Sequence, residues 1–267
     1  MYPVLIDFGA IKIYSFGTFI VLAFIVAAFY VRRRAARDLS LDKIEVFNLC
    51  FALLFIGLIG ARLLYAIVKY DEFSSDKMKI FRVWEGGLVW YGGLIFCLIW
   101  LAWYLPRHPK LKGWALADLL ALGASLGIFI GRWASFLSGE NYGKPAPDLP
   151  WAVVFPPEKE SQALMGIDLH PAQLYHSLHG LLMFLILAWY MRSKPAPGRV
   201  MGLFLMLYAI GRSVTEIWRG DDAARGMVID GWVSTSQLIS IPIFFIGAAI
   251  FLSRGNSEES LHATMSS

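Results

Sequence analysis

The chain has 267 residues, of which 57% are hydrophobic and 16% charged, with a mean hydropathy of +0.57. Soluble domains run at about 45–50% apolar and about 25% charged, so the composition excludes disorder, a coiled coil, collagen and a disulfide scaffold. The net charge of +4, with a pI of about 9.0, fits basic loops on one side of a membrane rather than nucleic-acid binding.

Taken in chain order, seven stretches approach the roughly 20 apolar residues that a membrane span requires. They cover about 13–31, 46–68, 87–105, 114–130, 171–191, 200–217 and 233–252. The first has no basic segment before it and a basic run after it (Arg32, Arg33, Arg34, Arg37), so it reads as a span and not as a cleaved leader. Basic residues crowd into the short connections: Arg32–Arg37 and Lys43, then Arg107, Lys110 and Lys112, then Arg192, Lys194 and Arg199, then Arg254. That side is expected to be cytoplasmic, which puts the N-terminus outside and the C-terminus inside. The long connection 131–170 is aromatic and apolar in places and is expected to form an ordered periplasmic cap. Residues 253–267 read as a frayed polar tail. The expected fold is therefore an all-α integral membrane protein with seven transmembrane helices. It is a single domain over 1–267, with its bundle over about 13–252.

Cys50 and Cys97 fall inside apolar runs, and a structural disulfide is not expected. The informative residues are charges within or beside spans, since one at a helix centre costs about 2.5–3.5 kcal/mol to insert. These are Arg62, Asp118, Arg132, Arg212 and Glu216, with Glu140 and Arg219 just beyond. Each arginine alone could snorkel to the headgroups. Arg212, Glu216 and Arg219 share one helical face by their spacing, and a salt bridge would account for two of them. Several guanidinium groups gathered towards one leaflet point instead to an anion, and the abundant anion at that depth is lipid phosphate. The glycine pairs Gly86-Gly87 and Gly92-Gly93 suit close backbone packing. A histidine–x–x–histidine pair at His176 and His179 is a weak metal signal, and no metal site is expected.

The segment Gly131-Arg-Trp-Ala-Ser-Phe-Leu-Ser-Gly-Glu-Asn-Tyr-Gly143 resembles the signature of the prolipoprotein diacylglyceryl transferase family. Five further motifs follow the family's order: Phe81-Arg-Val-Trp-Glu-Gly-Gly87, Tyr91-Gly-Gly-Leu-Ile95, His170-Pro-Ala-Gln-Leu-Tyr175, Gly211-Arg-Ser-Val-Thr-Glu-Ile-Trp-Arg219 and Ser236-Gln-Leu-Ile-Ser-Ile-Pro242. The resemblance covers nearly the full chain. It implies a multi-pass enzyme of the bacterial inner membrane. Such an enzyme moves the diacylglyceryl group of phosphatidylglycerol onto the lipobox cysteine of a prolipoprotein signal peptide, releasing glycerol phosphate, as the first step of lipoprotein maturation. Arg132 and Arg212 match the family's essential arginines; Glu140, Glu216, Arg219, Arg62 and Asp118 also fit its pattern. Tyr91 departs from it, standing where the best-known members have histidine, and Ala134, Ser135 and Phe16 depart as well.

Attack is at a saturated carbon, so the chemistry needs a thiolate and a stabilised leaving phosphate rather than an oxyanion hole for an acyl intermediate. The expected roles are a phosphate clamp from Arg132 and Arg212, supported by Arg219, with Glu216 orienting Arg212. Glu140 and Ser135 would position the headgroup or the peptide, and Tyr91 with Gly92 and Gly93 would contact the lipid. The thiol proton is left with three candidates: the leaving phosphate, His170 or Tyr91. The nucleophile belongs to the substrate, so neither cysteine of the chain is needed, and no cofactor or metal is required. The alternatives are a catalytically weakened paralogue and a transporter or lipid-binding protein with an arginine-lined anion site; the absence of an internal repeat disfavours the transporter.

Overall fold

Every predicted apolar stretch is helical in the computed structural model, which describes residues 3–8, 12–74, 76–82, 86–155, 166–221, 226–229 and 233–265. The long helices are α1 (Ser15–Asp38), α2 (Lys43–Val68), α4 (Trp90–Tyr104), α5 (Gly113–Ser138), α6 (Ala172–Tyr190), α7 (Arg199–Thr215) and α8 (Thr235–Met265), with a short α3 (Tyr70–Ser74) after α2. Six of them, all but α4 among the long ones, are long and apolar enough to cross a membrane. Their outer faces carry residues such as Val21, Phe55, Trp189 and Phe245, each more than half exposed. Apolar surface on that scale suits hydrocarbon and not water.

Several boundaries differ from the sequence-based expectation. The third predicted span is helical over 15 residues only, about 22 Å at 1.5 Å per residue. Its start is delayed by Gly86 and Gly87, both at positive φ, and a 3-10 turn containing Pro106 takes over at its end. α5 runs eight residues past the predicted end at Ile130 and carries Arg132 and Ser135 inside the helix; Trp133, Ala134, Phe136 and Leu137 keep it going until Gly139, at φ +74. α8 continues through Met265, where a frayed tail was expected. Three two-stranded antiparallel pairs interrupt the all-helical expectation: β1 (Val4–Asp7) with β2 (Lys12–Tyr14), β3 (Val153–Val154) with β4 (Asp168–Leu169), and β5 (Met227–Ile229) with β6 (Val233–Ser234). Val83, Trp84 and Glu85 of one motif, and 156–165 of the long connection, lie outside the described residues.

The chain divides into two compact units, Met1–Val31 with Ala117–Ser267, and Arg32–Leu116. In the first, α7 packs along α8 and against α6. Small residues set these seams. A Cβ at Gly202 would meet the Gly247 carbonyl at 2.8 Å, and one at Gly180 would meet the Phe129 amide at 2.7 Å. At Gly211 the ring of His179 occupies the space, its Nε2 donating to the Leu207 carbonyl at 3.1 Å. In the second unit α2 packs on α4 in the same manner. A Cβ at Gly92 would lie 2.3 Å from the Gly60 carbonyl, and one at Gly93 would lie 2.7 Å from that of Gly57.

The long connection in the first unit is ordered where described. Segment 142–146 lies between 218–220 and 168–170, joined by Lys144 N to Trp218 O (2.8 Å), Gly220 N to Tyr142 O (3.0 Å), His170 N to Lys144 O (3.0 Å) and Ala146 N to Asp168 O (2.8 Å). Phe155 and Leu169, with Tyr142 and Val153 against them, give it a small apolar core.

Candidate active site

The C-terminal turn of α7 builds the centre of the site. Glu216 is fully buried, and its carboxylate accepts from Arg212 one turn earlier, within hydrogen-bond reach. Arg219 approaches the same Glu216 oxygen at 3.7 Å. Helical spacing of i and i+4 places the first pair together, and a 3-10 turn over 216–218 swings Arg219 onto the same carboxylate. Arg219 also makes a two-point contact with Asp221, with Nε to Oδ1 at 2.8 Å. Its Nη2 reaches Asn141 Oδ1 at 3.1 Å. The second nitrogen of Arg212 donates to Ser236 Oγ at 2.8 Å.

α6 supplies a histidine to this cluster. Thr215 Oγ1 donates to the Gly211 carbonyl at 2.7 Å, so its hydrogen is committed. His176 Nδ1, 3.0 Å from that oxygen, must then be the donor. This fixes a tautomer with the Nε2 lone pair facing Arg212, at 3.5 Å. Arg132, from α5, lies within electrostatic reach of Arg212, Arg219 and Glu216, and of His176. It has no hydrogen-bond or ion-pair partner among the described residues. Among the described residues, three guanidinium groups thus lie within electrostatic reach of one another, and two carboxylates, Glu216 and Asp221, are bonded to Arg212 and Arg219.

The end of α5 joins this network through Ser135, whose Oγ accepts from Asn141 Nδ2 at 3.3 Å. Asn141 in turn bonds Arg219. The Glu140 amide closes the helix on the Ser135 carbonyl at 3.0 Å. The Glu140 carboxyl has no partner among the described residues, and burial pushes it above the usual carboxylate range. An acid raised in this way binds more protons folded than unfolded, so stability is greatest below about pH 4 and declines as pH rises through the carboxylate range towards the folded value. Glu140→Gln is expected to abolish that decline. Thermal melts in detergent should show the variant above wild type at about pH 8 and level with it at about pH 4.

Other expected site residues have partners of their own or belong to the second unit. Asp118 caps the N-terminus of α7, accepting from Gly198 N at 2.8 Å and Met201 N at 2.7 Å. That end of α7 lies about 20 Å along the helix from Arg212. His170 Nδ1 pairs with Tyr175 Oη at 3.1 Å, and Trp151 Nε1 donates to the same phenol at 3.0 Å. His170 stands in the connection beside Trp218 and makes no bond to the arginines. Arg62, Tyr91, Gly92 and Gly93 belong to the other unit. Gly92 and Gly93 pack against α2 backbone, where a Cβ would meet the Gly60 and Gly57 carbonyls. Tyr91 stands in the first turn of α4, edge-on to Trp90. Arg62 donates to five carbonyls: Nε to Ile80 (3.1 Å), Nη1 to Gly86 (2.5 Å) and Gly87 (2.9 Å), and Nη2 to Lys79 (2.5 Å) and Arg82 (3.1 Å). A guanidinium has five N–H donors, so none is left for a phosphate.

Sequence reasoning passed over His176, Thr215, Ser236, Asn141, Asp221 and Gln173 as site residues. All but Asp221 and His176 lie within the quoted motifs, and His176 follows directly on one; they are polar positions on apolar helices or beside a motif glycine.

An apolar helical protein of the multi-pass membrane class, with an arginine cluster built around the buried Glu216, is what the fold and site define. A model of the family described as prolipoprotein diacylglyceryl transferase matches residues 3–253. The chain is 33% identical over 252 residues to a phosphatidylglycerol–prolipoprotein diacylglyceryl transferase of Methylococcus capsulatus, covering 93% of each chain. It is 35% identical over 257 residues to the protein of that name from Geobacter sulfurreducens, covering 94% of this chain and 95% of the relative. Against the one from Pasteurella multocida the figures are 35% over 258 residues, 94% and 91%. The chain belongs to the prolipoprotein diacylglyceryl transferase family.

Proposed function

We propose that this protein transfers the diacylglyceryl group of phosphatidylglycerol to the cysteine thiol of a prolipoprotein, releasing glycerol phosphate. The observation that carries the reading is Arg132, a half-buried cation with no partner among the described residues, beside the Arg212–Glu216–Arg219 network. A phosphodiester bears one negative charge and offers the oxygens that a guanidinium fork suits.

A sulfur–carbon bond forms at the saturated glyceryl carbon as the carbon–oxygen bond to phosphate breaks. Negative charge moves from sulfur to the departing phosphate, where Arg132 and Arg212 meet it in a low-dielectric setting at no cost in reorganisation. Glu216 orients Arg212 and holds Arg219 close. Ser135 and Glu140 border the headgroup or the incoming peptide. The thiol proton leaves with the phosphate or by way of His170. Both substrates enter from the bilayer, the peptide as a signal sequence presenting its lipobox cysteine.

The same reading sets the chain in the inner membrane with seven crossings. α4 and the 3-10 turn that follows it complete the third. The basic connections mark the cytoplasmic side, and the ordered block 142–155 with 166–170 forms a periplasmic cap.

Purified protein, phosphatidylglycerol and a lipobox peptide with a free cysteine test the reaction. The expected result is a peptide mass gain of one diacylglyceryl group. A folded protein that gives no such gain, or that instead moves a solute across a vesicle, overturns the reading.

A further inference from the structure

We infer that Gln173 reads the headgroup of the donor lipid, its side-chain carbonyl accepting a hydrogen bond from a headgroup hydroxyl. The inference rests on the transferase reading and deepens it. Gln173, His176 and Ser177 occupy one buried face of α6. Ser177 Oγ donates to the Phe129 carbonyl at 2.7 Å, and Gln173 Nε2 donates to the Glu140 carbonyl at 2.8 Å. Those two bonds tie α6 to the chain on either side of Arg132. They also settle which way the Gln173 amide points. A backbone carbonyl only accepts, so the nitrogen must face Glu140 and the oxygen must occupy the other corner.

That oxygen is fully enclosed and has no donor among the described residues. Buried acceptors are almost always met by a donor, so this position calls for one from a ligand. A phosphodiester brings none at neutral pH, and acyl esters bring none. A glycerol headgroup brings two hydroxyls on the same phosphate that Arg132 would hold. A peptide N–H is the other possible donor, and the test separates the two.

The experiment compares kcat/KM for phosphatidylglycerol and phosphatidylpropanol, which share a phosphodiester and differ in the headgroup hydroxyls, using full-length protein and a lipobox peptide. Wild type is expected to favour the diol by about 10–100-fold. Gln173→Met also loses the bond to the Glu140 carbonyl, so absolute rates can fall for both lipids, but the ratio of phosphatidylglycerol to phosphatidylpropanol should drop to about 1. An equal fall for both lipids, or a rise in peptide KM with the lipid ratio kept, overturns the inference. If the methionine variant does not fold, Gln173→Glu at about pH 5 substitutes for it. Its acid form still donates to the Glu140 carbonyl and still offers an oxygen, so the diol preference must persist there; a preference absent at acid pH overturns the inference. Wild type without transfer from either lipid defeats the transferase reading itself, an outcome distinct from an active enzyme whose lipid ratio ignores Gln173.

Discussion

Arg132→Ala is expected to lower diacylglyceryl transfer by about 10²–10³-fold while leaving the melting temperature unchanged or higher. The two effects separate because Arg132 bonds nothing among the described residues, and its near neighbours Arg212 and Arg219 carry like charge. Arg212→Ala should lose transfer to at least the same degree and also lose stability. It takes the closest described partner from the fully buried Glu216 carboxylate, whose contact to Arg219 is longer. Removing one partner of a buried pair costs about 3–5 kcal/mol. Peptide mass gain and thermal melts on the same two preparations check both statements. Near-normal transfer in either variant removes that arginine from the phosphate clamp, and a large loss of stability in Arg132→Ala contradicts its lack of a protein partner.

Arg62→Ala is expected to disorder residues 79–82 and 86–87 while α2 and α4 stay packed. The guanidinium is the common partner of five carbonyls in that stretch, and its face lies 5.2 Å from the Phe73 ring centroid and 5.7 Å from that of Tyr65. Each carbonyl left buried without a donor costs about 1–3 kcal/mol, so the segment will open to water. Arg62→Lys should not rescue it. An ammonium has three donors and no planar fork, so at least two carbonyls stay unmet. Hydrogen exchange or limited proteolysis confined to 77–88 reads the outcome. A lysine variant as protected as wild type would show that the charge, not the fork, organises the segment.

Much of this arrangement was legible in the residues, for identifiable reasons. Apolar runs located the long helices because a spanning helix must satisfy its backbone internally. Arg212 and Glu216 could be put on one face because helical geometry fixes i and i+4, whereas Arg219, expected there by i+7, reaches the same carboxylate by way of a 3-10 turn. Arg62 could not be told from Arg132 in this way. Both are arginines in apolar helices, and only the fold shows that one is saturated by its own chain while the other has no partner among the described residues. Asp118 was similarly opaque, since its partners lie 80 and 83 positions away on α7. The short α4 and the prolonged α5 turned on Gly86, Gly87 and Gly139, whose positive φ is a property of the folded backbone that glycine permits but does not announce.

The imidazole of His179 lies where any side chain at position 211 would have to go. It works as a key in a slot. Sliding α6 along α7 by one residue or by one turn would drive that ring into a Cβ, so the register of the two helices is locked next to Arg212. A two-tailed lipid passing between α6 and α7 would have to break that fit, so entry at this seam would cost the packing at Gly211.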